Sequence, residues 1–108
     1  PSTIDSIPTG AGQEDHVSMA PWAGRKLLRM IHNLEKLFVI EILSACQAID
    51  LRKGLSPAEH LKPVLDEVRK EVPFLSVDRY MEFDQKHVLH LINTGKIVSI
   101  VEQNLKLK

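Results

Sequence analysis

The longest hydrophobic pattern of the chain lies between residues 21 and 49. Apolar side chains recur there every three or four residues, the spacing of one face of an α-helix; the series is Leu27, Ile31, Leu34, Phe38, Ile42, Ala45 and Ile49. Pro21 suits the start of such a helix, because a proline at the first helical position needs no amide hydrogen bond. The pattern predicts a helical stretch from Gln13 to Ile49, broken near Ala20 and continued as one long helix.

The second half of this long helix is apolar on nearly every side. Basic and polar side chains accompany the apolar series before Leu37, whereas residues 37–46 read LFVIEILSAC. A helix that is apolar around its whole circumference has to be surrounded by other elements. The remaining chain is short for that task, so we expect partners: self-association as a dimer or tetramer, or the N-terminal part of a longer parent protein.

Shorter helices are predicted after the glycine at position 54. The sequence Ser56-Pro57-Ala58-Glu59 matches a capping box and predicts a helix that runs to about Val72 and is kinked at Pro63. Asp84 is placed as the N-cap of the next helix, which Gly95 ends. The inward side chains of that helix are predicted to be Val88, Leu91 and Ile92.

The whole chain is predicted to be all-α, with a long central helix and shorter helices. Residues 1–12, PSTIDSIPTGAG, are rich in proline, glycine, serine and threonine and predict an extended coil segment. Residues 13–108 are interpreted as one helical unit, which ends in a short helix over Ile97–Leu107. No sustained strand alternation is present. The pattern as a whole is typical of a fragment of a larger helical bundle.

Composition and charge narrow the classes of partner. The 108 residues include 14 basic and 14 acidic side chains, so the formal net charge is zero. Because phosphate binding requires a basic excess, we expect no nucleic acid and no anionic membrane surface as a partner. The single cysteine, Cys46, excludes an internal disulfide and fits a reducing compartment, for which we predict the cytoplasm. Its apolar neighbours predict a buried thiol.

Two clusters of polar residues are candidates for chemistry. Glu14, Asp15 and His16 follow the glycine-containing coil at the predicted start of a helix, where two carboxylates favour the helix dipole. The functional alternative is a general acid/base or a substrate-binding carboxylate beside a glycine-lined backbone. His87 and His90 have a spacing that suits a metal, but nothing supplies further ligands. We therefore expect no metal and a solvated helix face there.

Four stretches of the chain together resemble the C-terminal part of histidine ammonia-lyase, within the aromatic amino acid ammonia-lyases. They are DSIPT (Asp5–Thr9), QEDHVSMAP (Gln13–Pro21), IEILSACQAIDLRKGL (Ile40–Leu55) and VPFLSVDRY (Val72–Tyr80). The resemblance covers essentially the whole chain in order. It implies a mostly helical homotetramer that converts L-histidine into trans-urocanate and ammonia, at active sites lined by more than one subunit.

The resemblance also implies site residues and a cofactor. The active-site glutamate of the family falls on Glu14, as an acid/base or imidazole-binding group, with Gln13 beside it as a further substrate-binding residue. The sister lyases for phenylalanine and tyrosine carry glutamine there, so Glu14 favours a histidine-type site. The family's electrophile is a methylideneimidazolone ring formed from an Ala-Ser-Gly tripeptide. Since this chain contains no Ala-Ser-Gly, we expect no cofactor in it and no activity from it alone.

One departure from the family and two alternatives complete the interpretation. The family often reads TSANQEDH, whereas this chain reads TGAGQEDH, so that Gly10 and Gly12 replace side chains and are expected to loosen the approach to Glu14. The leading hypothesis is an inactive C-terminal fragment of a histidine ammonia-lyase-like enzyme. The first alternative is a stand-alone helical assembly module derived from such a lyase. The second is a lyase or aminomutase for another aromatic amino acid.

Overall fold

The computed structural model describes residues 4–104, and this part of the chain is helical. Its four α-helices are α1 (Ala20–Leu51), α2 (Lys62–Arg69), α3 (Glu82–Asn93) and α4 (Lys96–Asn104). A 3₁₀ turn, Gly10–Gly12, precedes them. The described residues form no strand beyond one isolated antiparallel bridge between Thr9 and Glu14. The predicted all-α class is confirmed, and the chain divides into two compact units, residues 1–34 and 35–108.

Helix α1 begins at Ala20 and continues without interruption to Leu51. Pro21 lies in its first turn, where a proline costs no helical hydrogen bond, and Gly54 follows its end with a φ of 81°. The predicted long helix is therefore confirmed. The predicted helical character of residues 13–19 is wrong. The Glu14 amide donates to the Thr9 carbonyl, five positions earlier, and the Val17 amide donates to the Ser6 hydroxyl, so neither makes the bond to the fourth preceding carbonyl that defines an α-helix.

The core of the second unit is built from α1, α2 and α3. Its buried side chains are Val39 and Cys46 from α1, Val68 and Val72 in and after α2, and Val88 and Leu91 from α3. The predicted burial of Cys46, Val88 and Leu91 is thereby confirmed. Helix α4 packs against α2 and α3 and buries Ile100. The predicted last helix is confirmed up to Asn104; residues 105–107 of that prediction lie outside the described residues.

Helix α1 packs through a face that is rotated from the predicted apolar series and shares Ile42 with it. The side chains turned to the core are Val39, Ile42, Leu43 and Cys46, which repeat at the helical spacing. Leu34 and Phe38, central to the predicted face, are exposed. The two faces lie about a quarter of a turn apart, at roughly 100° per residue. Because both are apolar, periodicity alone could not decide which one this chain covers.

The start of α2 also differs from the sequence prediction. The capping box at Ser56–Glu59 does not begin a helix; the turn bonded to the Ala58 carbonyl leads instead to a helix that begins at Lys62. Pro63 is then the second helical residue and does not kink the helix interior. The physical reason is that a proline lacks the amide that an interior position requires, whereas the first turn has no such requirement.

Asp84 is the third residue of α3 and does not cap it, so its predicted role is wrong. Only 7% of its surface is exposed, and its Oδ2 accepts hydrogen bonds from Arg79 Nη2 (2.7 Å) and Nε (3.1 Å). Arg79 also donates to the carbonyls of Pro73 (2.8 Å) and Phe74 (3.3 Å). The ion pair therefore attaches the α2–α3 loop to the first turn of α3, which compensates the burial of the carboxylate.

Gln47, the residue directly after the apolar stretch 37–46 of α1, bonds through its side-chain amide to the loop that follows α2. Its Nε2 donates to the Leu75 carbonyl, and its Oε1 accepts from the Leu75 amide, both at 3.0 Å. Arg69 adds a second tie: it donates to Asp50 Oδ2 (2.8 Å) and to the Val72 carbonyl (3.0 Å). These bonds satisfy backbone groups of the loop that would otherwise be buried without partners.

No helix among residues 4–104 is long and apolar enough to cross a membrane.

The exposed apolar side chains of α1 predict association. Leu37 is 61% exposed, Phe38 46% and Ile40 53%. Complete burial of such a side chain stabilises by roughly 1.5–3 kcal/mol, so covering the remaining half of several together drives self-association. We expect a dimer or larger species at micromolar concentration by light scattering. The variant Phe38→Lys should raise Kd at least about tenfold, which is ~1.4 kcal/mol.

The matched control for this prediction is Phe83→Lys on α3. Phe83 is 73% exposed, so the same change there tests the effect of an added charge away from α1. A monodisperse wild-type monomer at high micromolar concentration contradicts the prediction, and so does an equal effect of the two variants.

The buried thiol of Cys46 predicts low reactivity. Burial raises the pKa of Cys46; the Arg69 charge opposes that rise, and the Asp50 charge adds to it. Because only the thiolate reacts with an aromatic disulfide reagent, modification of the folded chain at pH 7.5 should be at least about tenfold slower than in urea. Equal rates with and without urea would contradict the burial of this side chain.

Candidate active-site segment

Gln13 and Glu14 lie on a loop that local hydrogen bonds close at two levels. At its base, Ser6 Oγ accepts from the Val17 amide (2.9 Å) and donates to the Val17 carbonyl (3.1 Å). Nearer the tip, the Thr9 amide donates to the Glu14 carbonyl (3.0 Å), and the Glu14 amide donates to the Thr9 carbonyl (3.1 Å). The backbone of Glu14 is thus held by its own loop.

The tip of this loop is a left-handed turn. Gly10, Ala11 and Gly12 have φ values of 60°, 56° and 84°, a region that costs an L-residue roughly 1–2 kcal/mol and glycine almost nothing. The Gly12 amide donates to the Thr9 carbonyl, and the Gln13 amide donates to the Gly10 carbonyl. Gly10 and Gly12 therefore permit the backbone conformation of the turn that places Thr9 opposite Glu14. The sequence predicted only that they loosen the approach to Glu14.

The space around Gly10 supports the same conclusion. A Cβ added there would lie 3.8 Å from Glu14 Cγ and 3.9 Å from Gln13 Cβ, which are ordinary contact distances. Glycine is therefore favoured at position 10 by the positive φ of the backbone, since the surroundings leave room for a side chain.

The Glu14 carboxylate is exposed and has one hydrogen-bond donor on the loop. Thr9 Oγ1 donates to Glu14 Oε2 at 2.5 Å. Gln13, the other predicted site residue, is also exposed. Glu14 lies six positions before the first residue of α1, and the dipole effect decays within the first helical turn. The helix-dipole interpretation of Glu14 is therefore wrong, and its functional interpretation stays a prediction.

The three residues of the predicted acidic cluster are not brought into one pocket. His16 lines an open hollow of about 620 Å³, together with Ile4 and Met19 among others, and Glu14 does not line it. Within this chain, Glu14 is thus a surface carboxylate on a restrained loop. Any enclosed site around it needs further protein.

The second candidate cluster, His87 and His90, has two different environments. His90 is exposed, as expected for a solvated face, whereas His87 is half-buried and its Nε2 has no hydrogen-bond partner among the described residues. His87 lies near Glu67, whose pKa is lowered first by the hydrogen bond from Lys70 and more weakly by the surrounding charges. No group of three or more potential metal ligands occurs among residues 4–104.

Thr9 is the functional candidate that the sequence analysis did not find. Its residue type carries no signal, because threonine is common in coil. The available signal is the spacing: Thr9 and Glu14 flank the four residues Gly-Ala-Gly-Gln, and a short glycine-containing turn brings its flanking residues opposite each other.

Comparison with known proteins gives a consistent set of relatives. The profile of the family described as aromatic amino acid lyase matches residues 1–70. The chain is 47% identical over 92 residues to a histidine ammonia-lyase of Yersinia enterocolitica, covering 85% of this chain and 18% of that protein. It is 46% identical over 106 residues to histidine ammonia-lyase 1 of Fusobacterium nucleatum, covering 95% and 20%.

Solved structures agree with these sequence relatives. The crystal structure of histidine ammonia-lyase from Trypanosoma cruzi superposes with a TM-score of 0.83 at 37% identity, covering 97% of this chain and 21% of that one. The tyrosine aminomutase of Streptomyces globisporus gives a TM-score of 0.79 at 32% identity, covering 100% and 21%. The chain therefore spans about a fifth of the length of the proteins that it matches.

Proposed function

The chain belongs to the aromatic amino acid lyase family, and from that premise we propose that it is the C-terminal segment of a histidine ammonia-lyase-like enzyme. The parent reaction is the conversion of L-histidine into trans-urocanate and ammonia. The identities of 42–47% to proteins named histidine ammonia-lyase support this choice within the family. So does the fraction of their length that the chain covers, which is typical of a segment.

The observation that carries the proposal is the restrained, exposed carboxylate of Glu14. A general acid or base has to be held within hydrogen-bond reach of its proton, and two backbone bonds to Thr9 hold Glu14 in the loop. A carboxylate also accepts a charge-assisted hydrogen bond from an imidazole N–H. Both roles suit a substrate that carries an imidazole. Gln13 would add amide donors and an acceptor beside it.

The ring cofactor that the family implies does not fit this chain. It is formed from an Ala-Ser-Gly tripeptide, and the sequence contains none. The ring would therefore come from another part of the parent enzyme. What this chain contributes is the loop that presents Glu14 and the helices that attach the loop to the assembly.

The proposed partners follow from the surface of α1. Its exposed apolar residues, among them Leu34, Leu37 and Phe38, suit burial against the N-terminal part of the parent or against a second copy in a dimer or tetramer. We place this assembly in the cytoplasm, since the single thiol of Cys46 fits a reducing compartment.

Two other functions compete with this proposal. The stand-alone assembly module is favoured by the exposed face of α1, but it gives the ordered loop around Glu14 no purpose. An enzyme for another aromatic amino acid is favoured by the similarity to the tyrosine aminomutase. Against phenylalanine as the substrate, a carboxylate at position 14 can accept from an imidazole N–H, whereas a phenyl ring offers no donor. A tyrosine phenol does offer an O–H donor, so the choice of histidine over tyrosine rests on the identities to histidine ammonia-lyases.

The missing ring precursor predicts that the chain alone is inactive. The purified 108-residue protein should form no urocanate from L-histidine, as followed by ultraviolet absorbance. A complete histidine ammonia-lyase at the same molar concentration is the positive control. Turnover that copurifies with the 108-residue chain through two independent chromatographic steps would contradict the prediction.

The role of Glu14 predicts a defined loss in the longer protein that carries this segment. Glu14→Gln keeps the side-chain size and removes the charge and the transferable proton. A positioned acid/base group supplies about 10²–10⁴-fold, so kcat should fall at least about tenfold. The melting temperature should stay near that of the wild type, because Glu14 lies outside the helices.

The matched control is Glu59→Gln, which makes the same change at another exposed glutamate. It should leave kcat unchanged. Wild-type kcat for Glu14→Gln, together with a reduced melting temperature, would remove Glu14 from the chemistry.

A further inference from the structure

The loop contains one contact that the proposed function does not use, the hydrogen bond from Thr9 Oγ1 to Glu14 Oε2. We propose that Thr9 is a positioning residue that holds the Glu14 carboxylate in one orientation and leaves its other oxygen available to the substrate. This inference rests on the proposed function of Glu14 and extends it to the residue opposite.

The backbone places these two residues as a pair. Thr9 and Glu14 form an antiparallel bridge in which each amide donates to the other's carbonyl, at 3.0 and 3.1 Å. Side chains directly opposite in such a bridge project to the same side, with Cβ atoms about 4.5–5.5 Å apart. The hydroxyl therefore reaches the carboxylate because of the fold of the loop.

The residue type at position 9 suits this task. Threonine is branched at Cβ, so its χ1 torsion has few accessible rotamers and its hydroxyl is directed before any partner is bound. The Glu14 side chain, in contrast, has three rotatable bonds and is exposed. Without a tie, it would sample many orientations.

The chemistry of the carboxylate leaves room for a second partner. A carboxylate accepts at two oxygens and about four lone-pair sites. The hydroxyl of Thr9 uses one site on Oε2, so Oε1 can accept a hydrogen bond from a substrate N–H or take its proton. The tie restricts the orientation of the group and leaves its acceptor function intact.

Backbone hydrogen bonds hold the conformation of the turn independently of the Thr9 hydroxyl. Ala11 has a φ of 56°, a value that a non-glycine residue adopts only when its surroundings impose it. The four backbone bonds between residues 9 and 14 impose it here. Removal of the hydroxyl alone should therefore leave the backbone pairing of the loop in place and release only the carboxylate.

A first measurement, on the 108-residue chain, tests the hydrogen bond from Thr9 to Glu14 without an activity assay. Three-bond couplings to the Glu14 β protons should show one dominant rotamer in the wild type. Thr9→Val, which replaces the hydroxyl by a methyl of similar size, should give averaged couplings, and Thr9→Ser should restore the dominant rotamer. Thr94→Val is the matched control, because the Thr94 hydroxyl donates to the His90 carbonyl of α3 at 2.8 Å.

A second measurement uses the longer enzyme that carries this segment. Thr9→Val should lower kcat/KM by roughly three- to fivefold, less than Glu14→Gln does, since misplacement removes only part of what an acid/base group supplies. The larger share of the loss should fall on kcat, because orientation matters most in the transition state. Thr9→Ser should recover most of it, and Thr94→Val should keep the wild-type value.

Three results would overturn the positioning role. The first is a dominant Glu14 rotamer that survives in Thr9→Val. The second is equal loss of kcat/KM in Thr9→Val and Thr94→Val, which would indicate a general effect on stability. The third is averaging of the Glu14 couplings in Ser6→Ala to the same extent as in Thr9→Val. Ser6→Ala keeps the Thr9 hydroxyl, so this result would show that closure of the loop, and not Thr9, holds the carboxylate.

The two proposals fail in distinguishable ways. Normal kcat/KM in Thr9→Val beside an impaired Glu14→Gln overturns the positioning role and leaves the proposed function intact. Full activity of Glu14→Gln overturns the proposed function, and with it the purpose of the tie.

Discussion

The constraint on which the rest of the structure depends is the surface of α1, a 32-residue helix that is apolar on more sides than this chain covers. Val39 and Cys46 enter the core with α2 and α3, whereas Phe38 and Leu34 stay exposed. Apolar surface left in water costs free energy in proportion to its area. Covering the exposed apolar face of α1 would therefore lower the free energy, and this is the physical basis of the association that we propose.

The same property of α1 explains what the sequence could and could not predict. Long helical patterns predicted α1 and the inward residues Val88 and Leu91 correctly, because spacing along one helix determines which side chains share a face. The apolar series of α1 could not decide which of two apolar faces this chain covers, because residues 37–46 are apolar on nearly every side. The choice between them is made by Val68 and Val72, which come from elsewhere in the chain.

Capping signals failed for a related reason. Ser56 and Asp84 both match the residue preferences of an N-cap, but a cap is decided by competition among hydrogen-bond partners. Asp84 is bonded to Arg79, which also holds two loop carbonyls, and Pro63 moves the start of α2 toward itself. At the candidate site, the resemblance indicated Glu14. The pairing of Thr9 with Glu14 depends on a left-handed turn, and the residue type of Thr9 does not predict that pairing.

The two kinds of order in this chain suit the division of labour that we propose. The loop around Glu14 is held by bonds between residues 6 and 17, all close in sequence, so its conformation does not depend on the uncovered apolar surface of α1. The helices, in contrast, leave apolar side chains of α1 exposed. A carboxylate whose geometry is set locally can be brought by such a segment into a site whose remaining groups belong to other parts of an assembly. Its orientation is then established before the assembly forms, and association has only to supply the distance to the substrate.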